Sequence, residues 1–371
     1  MRAVILTCNT GGGHNSAAAS LQEAFRKEGW TCDTTDALQF ISKQVTQLMS
    51  SGHNWVYRHA PGVFNLGYQF AEQHQDLFQE DSGIYRFLTG GSERLLVYLE
   101  EGGYDLVVCT HVFSALMLTE VFRQSNYRVR SCLVATDYTC SPSAEESEVD
   151  WYFIPDDSLI EEFVGKGVPR EKLVGSGIPV SAKFSQHIPV EEAKKRQGIR
   201  PDQKHLLMMC GSMGCGPIKE LAEELAECLP EDAVMTVICG SNESLYKKLM
   251  RRLGDDERIR VLGFTSQVSE LMDSADLYLT KAGGLSTSEA LNKHLPMFLI
   301  NAVAGCEEYN AKYFVNRGMA AFAQNEEELP RLCADLLVDD EKLSGMRAQM
   351  ERYAPGNSAE KIVKFIVNGV N

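Results

Sequence analysis

Short apolar runs alternate along the chain with longer stretches in which apolar residues recur at three- and four-residue spacing. That is the rhythm of strands covered by helices. It begins as a strand at Ala3–Cys8, a glycine turn at Gly11–Gly13 and a helix from about His14 to Glu28. Strands follow at Thr31–Thr35, Tyr104–Thr110, Arg128–Asp137 and Asp150–Ile154, with helical patterns reaching Gln124 and covering Asp157–Gly165. The succession predicts an α/β protein with a parallel sheet.

A second series starts after Gly175–Pro189, whose glycines and prolines read as a linker. Its strands are expected at Leu206–Cys210, Ala233–Cys239, Ile259–Leu262, Leu277–Lys281 and Pro296–Ile300. The second half thus repeats the first, giving domains at 1–180 and 181–354. The last helical pattern, Ala359–Val367 within 355–371, is a candidate to brace the first domain.

One stretch breaks the rhythm. Ala37–Ala71 holds no Asp or Glu, although the chain has 51 acids in 371 residues. Lys43, His53, Arg58 and His59 stand there among Phe40, Trp55, Val56, Tyr57, Phe64, Leu66, Tyr68 and Phe70. Aromatic rings interleaved with cations suit a membrane interface, with Lys43, Trp55, Tyr57, Arg58 and Phe64 as contact candidates. Buried helix faces would explain the same composition.

A length of 371 residues accommodates about two domains, and 44% hydrophobic residues exclude disorder. The net charge of −15 argues against general nucleic-acid binding, and any membrane contact must be local. The eleven cysteines form no CxxC pair; Cys109, Cys132, Cys210 and Cys239 sit in apolar runs. They read as reduced core residues of a cytoplasmic protein. No apolar stretch has the length of a signal peptide or a spanning helix.

Three motifs carry chemistry. Asn9-Thr10-Gly11-Gly12-Gly13-His14 lies between a strand and a helix, where glycines admit a ligand and helix N–H groups meet an anion. His14 adds a titratable group at the helix entry. Alone, the turn also fits a dinucleotide, with Asp33 or Asp36 on a ribose, or a purely structural role. Gly211-Ser212-Met213-Gly214-Cys215-Gly216 repeats this arrangement in the second half, without the Lys-Ser/Thr pair of a P-loop. Lys281-Ala282-Gly283-Gly284-Leu285-Ser286-Thr287-Ser288-Glu289 ends a strand and opens a helix. Ser286 and Thr287 can serve a diphosphate, and Glu289 can accept two ribose hydroxyls. Ser286 and Glu289 also have the spacing of a capping box.

These motifs, with Thr136-Asp137-Tyr138 and Gly305-Cys306-Glu307-Glu308-Tyr309-Asn310-Ala311, follow an order and spacing that resembles a known family. It comprises the monogalactosyldiacylglycerol synthases and bacterial processive diacylglycerol glucosyltransferases. More distantly, the chain resembles the lipid-linked N-acetylglucosaminyltransferase of peptidoglycan synthesis. The likeness runs from Val4 to about Phe314.

The resemblance implies a GT-B fold, two Rossmann-like domains whose parallel sheets face across a cleft. It implies an inverting transfer of a hexose from a UDP-sugar to diacylglycerol, or another lipid acceptor, at the inner face of the cell membrane. Gly211, Ser212, Met213 and Gly214 would approach the diphosphate, Phe264 and Thr265 the uracil, and Gly283, Gly284, Ser286 and Thr287 the phosphates. Glu289 would take the ribose, and Cys306, Glu307 and Asn310 the sugar side. Most members have Gln where this chain has Cys306, which leaves the donor sugar open. His14 and Asp137 are the candidate bases, with Gly12, Gly13 and His111 on the acceptor side. No Asp-x-Asp motif is present, so no metal or other cofactor is expected. A nicotinamide-dependent oxidoreductase and a non-catalytic lipid or UDP-sugar sensor are the rival readings.

Overall fold

The computed structural model describes residues 1–9, 12–42, 82–214, 216–300, 305–323 and 325–370. Contacts divide the chain into two units, one holding Met1–Ala182 and the stretch from Asn357, the other Lys183–Ala302 and Glu307–Gly356. Each contains a six-stranded parallel sheet.

In the first unit β1 (Arg2–Thr7), α1 (Gly12–Lys27) and β2 (Thr31–Asp36) form the opening βαβ element. After α2 (Gly83–Thr89) and α3 (Ser92–Gly102) come β3 (Leu106–Cys109), α4 (Val112–Gln124), β4 (Arg130–Val134), β5 (Trp151–Ile154), α5 (Ile160–Gly165) and β6 (Leu173–Gly175). The strand order is β2-β1-β3-β4-β5-β6. The chain leaves β1 towards one edge and resumes at β3 on the other side, so the crevice for a ligand lies beyond the carboxyl ends of β1 and β3.

The second unit opens with α6 (Val190–Arg196) and β7 (Lys204–Met209), followed by α7 (Ile218–Cys228), β8 (Ala233–Ile238), α8 (Glu243–Leu253) and β9 (Ile259–Leu262). Then come α9 (Val268–Ser274), β10 (Leu277–Thr280), α10 (Gly284–Asn292), β11 (Met297–Leu299), α11 (Cys306–Asn316), β12 (Ala320–Phe322), α12 (Leu329–Leu337) and α13 (Asp340–Tyr353). Its order, β12-β11-β10-β7-β8-β9, puts the switch between β7 and β10. Both glycine motifs of this half follow those two strands.

The strands read from the sequence are present, with ends displaced by at most three residues. Two three-residue edge strands, β6 and β12, were not expected. The last helix, α14 (Ser358–Val370), belongs to the first unit. Its Ile362, Val363 and Ile366 are wholly buried in one core with Leu21 and Phe25 of α1 and Phe153 of β5. Each such side chain contributes about 1.5–3 kcal/mol of burial.

At the start of the acid-free stretch, Ala37, Leu38 and Phe40 are core residues, their turn capped by the Asp36 carboxylate on Leu38 N–H at 2.9 Å. Lys43, Trp55, Tyr57, Arg58 and Phe64 lie outside the described residues. Nine of the ten described cysteines are buried or lie in the apolar interior, only Cys306 opening a helix beside polar residues. No described helix is long and apolar enough to cross a membrane.

Candidate functional site

Three strand ends of the first unit converge on one histidine. His14, in the first turn of α1 after β1, has Nδ1 2.8 Å from the carbonyl oxygen of Thr110, which follows β3. A carbonyl only accepts, so Nδ1 carries the proton and Nε2 keeps its lone pair. Thr136, beyond β4, places its hydroxyl 3.1 Å from the same nitrogen. His14 is therefore held in the tautomer that can receive a proton at Nε2.

His111 meets the His14 ring edge-on, with centroids 4.5 Å apart. Its Nδ1 accepts the Phe113 N–H at 3.0 Å, making His111 the N-cap of α4. Neutral His111 thus presents Nε2–H. A cavity of about 40 Å³ is lined by both histidines, Thr110, Thr136, Ser141 and Phe163, among others. Asp137 follows Thr136 and is half-buried, while at the start of α1 Gly12 is exposed and Gly13 half-buried.

The alternative dinucleotide reading finds its acids occupied. Asp33 pairs with Arg2 at 2.9 Å and accepts from the Tyr104 hydroxyl at 3.0 Å, while Asp36 caps its own turn. Neither carboxylate is presented as a ribose acceptor.

In the second unit the turn after β7 is shaped by backbone. Gly211 and Gly214 have φ of +70° and +56°. A Cβ on Gly214 would stand 2.1 Å from the Cys239 carbonyl, so only glycine fits. Asn242, the N-cap of α8, donates its amide to Gly214 O at 3.0 Å, and Ser241 N–H bonds Ser212 O at 2.9 Å. The Gly240-Ser241-Asn242 turn thus buttresses Gly211–Gly214, a support that the sequence reading did not identify. Ser212 is exposed and Met213 half-buried.

Across the switch, α10 starts at Gly284 with Gly283 as N-cap and no side-chain cap. The expected capping box is not formed: Ser286 and Glu289 both lie inside the helix. Among the described residues no side chain caps this helix start, the arrangement that favours an anion. Thr287 and Ser288 are fully buried and donate their hydroxyls to carbonyls of Gly283 and Gly284. Beneath them Tyr278 is wholly buried and reaches the Met209 carbonyl at 3.4 Å.

Lys281 and Glu307 pair at 3.3 Å with both side chains largely buried. Glu307 Oε1 also lies 4.0 Å from where a Cβ of Gly283 would stand. Asn310, wholly buried, donates to the Ala282 carbonyl at 2.9 Å and so tethers α11 to the turn. Cys306 is the first residue of α11 and groups with the first unit, whereas Glu307 groups with the second. Phe264, after β9, is 78% exposed, a ring open to stacking. Thr265 accepts the Gln267 N–H and stabilises that turn. Glu289 is half-buried, and burial pushes its carboxyl up to about 7, against the opposing charge of Lys183.

Two family models match the chain in sequence order: monogalactosyldiacylglycerol (MGDG) synthase over residues 14–180 and the glycosyltransferase family 28 C-terminal domain over 205–365. A processive diacylglycerol beta-glucosyltransferase of Bacillus subtilis is 27% identical over 368 residues, covering 99% of this chain and 94% of the relative. Among solved structures, MurG of Acinetobacter baumannii superposes with a TM-score of 0.67 at 12% identity, covering 99% of each chain. A UDP-GlcNAc 2-epimerase of Neisseria meningitidis, bound to UDP-GlcNAc, gives 0.64 at 14% identity, covering 99% of this chain and 100% of the other. The fold is GT-B. With both domain models in order and a relative matched end to end, the chain is similar along its whole length to monogalactosyldiacylglycerol synthases and processive diacylglycerol glucosyltransferases.

Proposed function

We propose that the protein is an inverting glycosyltransferase moving a hexose from a UDP-sugar to diacylglycerol, giving a glycosyldiacylglycerol. The observation that carries this reading is a division of chemistry between two switch points of one chain. One holds a histidine fixed with Nε2 ready for a proton; the other holds a glycine-shaped turn and an uncapped helix start. The names of the relatives supply the substrate class.

In the proposed reaction an acceptor hydroxyl gives its proton to His14 Nε2 as its oxygen bonds the anomeric carbon. The bond from that carbon to the UDP oxygen breaks on the opposite face, inverting the centre. Charge on the departing diphosphate is met by N–H groups of the Gly211–Gly214 turn and the α10 start, and we propose that no metal ion is needed. Phe264 would stack the uracil, Glu289 would accept ribose hydroxyls, and Glu307, held by Lys281, would face the sugar. Peripheral attachment through the acid-free stretch would bring the acceptor within reach.

The test is transfer of radiolabel from UDP-glucose, UDP-galactose and UDP-N-acetylglucosamine to diacylglycerol and to extracted lipids, with product identification. A labelled glycosyldiacylglycerol of inverted configuration is expected. Label only in another lipid would reassign the acceptor, and UDP-sugar binding without transfer would make the protein a sensor.

A further inference from the structure

Lys281 directly follows β10 and stands two residues before Gly283, the N-cap of α10. Its buried side chain runs between two helix starts. The stem passes Gly216, where a Cβ would stand 3.8 Å from Lys281 Cδ, and Gly216 precedes Pro217, the N-cap of α7. At the far end Nζ lies 3.3 Å from Glu307 Oε1, the same oxygen that is 4.0 Å from a Cβ on Gly283. The ammonium therefore stands between the starts of α7 and α10. Among the described residues no side chain caps either start, and α10 has no acid in its first turn.

Each helix start acts as about half a positive charge, so an ammonium placed between two of them is repelled from both sides. The Glu307 carboxylate offsets part of this field and leaves the rest for an anionic ligand. On α7, Glu220 is exposed and lies 3.6 Å from Lys219, outside this contact.

We propose that Lys281 is the counter-charge of the nucleotide diphosphate: its ammonium bonds phosphate oxygens and so sets the preference of the donor site for UDP over uridine. The inference rests on the donor-site reading above. An ammonium is a compact charge with three donors, so it can serve a phosphate oxygen while keeping Glu307. Such a bond is charged on both sides, the stronger kind. Neighbouring cations are engaged elsewhere. Lys219 pairs with Glu223 at 3.3 Å, Lys293 with Asp273 at 2.6 Å, and Lys183 Nζ reaches the Ser266 carbonyl at 3.4 Å.

The rival role for Lys281 is only to hold Glu307, and the experiment separates the two. Affinities for UDP and for uridine are measured on the full chain by ligand-observed NMR titration, for wild type, Lys281→Met, Glu307→Gln and the double variant. Lys281→Met alone leaves a buried carboxylate without that ammonium; the double variant removes both charges and so guards against misfolding. Both proteins carrying Lys281→Met should lose at least about tenfold of the preference for UDP, with uridine affinity within about twofold of wild type. Glu307→Gln should keep or raise the preference, because it removes a charge of the same sign as the diphosphate. A double variant with the same preference as Glu307→Gln, or UDP and uridine weakened alike by Lys281→Met, would overturn the proposal. A wild type that binds UDP no better than uridine would instead defeat the donor-site reading.

Discussion

The imidazole of His14 points its Nδ1 at the main-chain oxygen of Thr110, 2.8 Å away, and a main-chain oxygen has no second tautomer to offer. The strand end thereby decides which nitrogen of His14 is basic. His14→Ala should lower kcat by about 10²- to 10⁴-fold, the usual contribution of a general base, with UDP affinity within about twofold of wild type. Asp137→Asn should cost less. Single-turnover transfer assays check both, and a His14→Ala enzyme of near-normal rate beside an inactive Asp137→Asn would transfer the base to Asp137.

Activity should persist in excess EDTA. The helix start at Gly284 and the Gly211–Gly214 turn already offer positive potential where a diphosphate would sit. Transfer assayed after chelation and gel filtration, with and without added Mg²⁺ or Mn²⁺, checks this; an absolute need for either ion in the chemical step would overturn it.

Acid should destabilise the second unit through a histidine remote from the proposed chemistry. His205 is fully buried between the Thr236 and Ser274 hydroxyls, at 2.9 and 3.1 Å. Burial pushes its imidazole down to about 4. The unfolded chain binds this proton near pH 6.5 and the folded one only near 4, so stability is lost as pH falls through that window, by up to about 3 kcal/mol. Denaturant midpoints measured against pH should show this acid limb in wild type and a shallower one in His205→Gln. Parallel limbs would refute it.

Vesicle binding tests the acid-free stretch. Distant acids are screened beyond about 8 Å at physiological salt, and two cations at about 1 kcal/mol each are too few alone, so apolar burial must dominate. Trp55→Ala with Phe64→Ala should strongly weaken sedimentation with anionic vesicles and leave UDP binding intact, while salt weakens it only partly. Sedimentation like wild type would place the membrane surface elsewhere.

Elements with a full period were legible in the sequence. Leu206–Cys210 and Leu277–Lys281 read as strands because both faces are apolar, and each announced the turn after it. Leu173–Gly175 and Ala320–Phe322 were not, since three residues show no period and the first runs into a proline-rich stretch. Spacing misled at Ser286 and Glu289, where a capping box fits the letters but Gly283 takes the cap. The pattern around Asp36 suggested a ribose acid, whereas the chain uses that carboxylate to turn itself.

The helix at Ser358–Val370 orders events during synthesis. Residues 183–356 leave the ribosome before it, with every strand of their own sheet already in hand, and can fold as a unit. The earlier-made sheet must wait, its Leu21 and Phe25 uncovered, until Ile362, Val363 and Ile366 arrive. The half of the protein made first is thus completed last, and its nascent form presents a greasy face that a chaperone could shield in the interval.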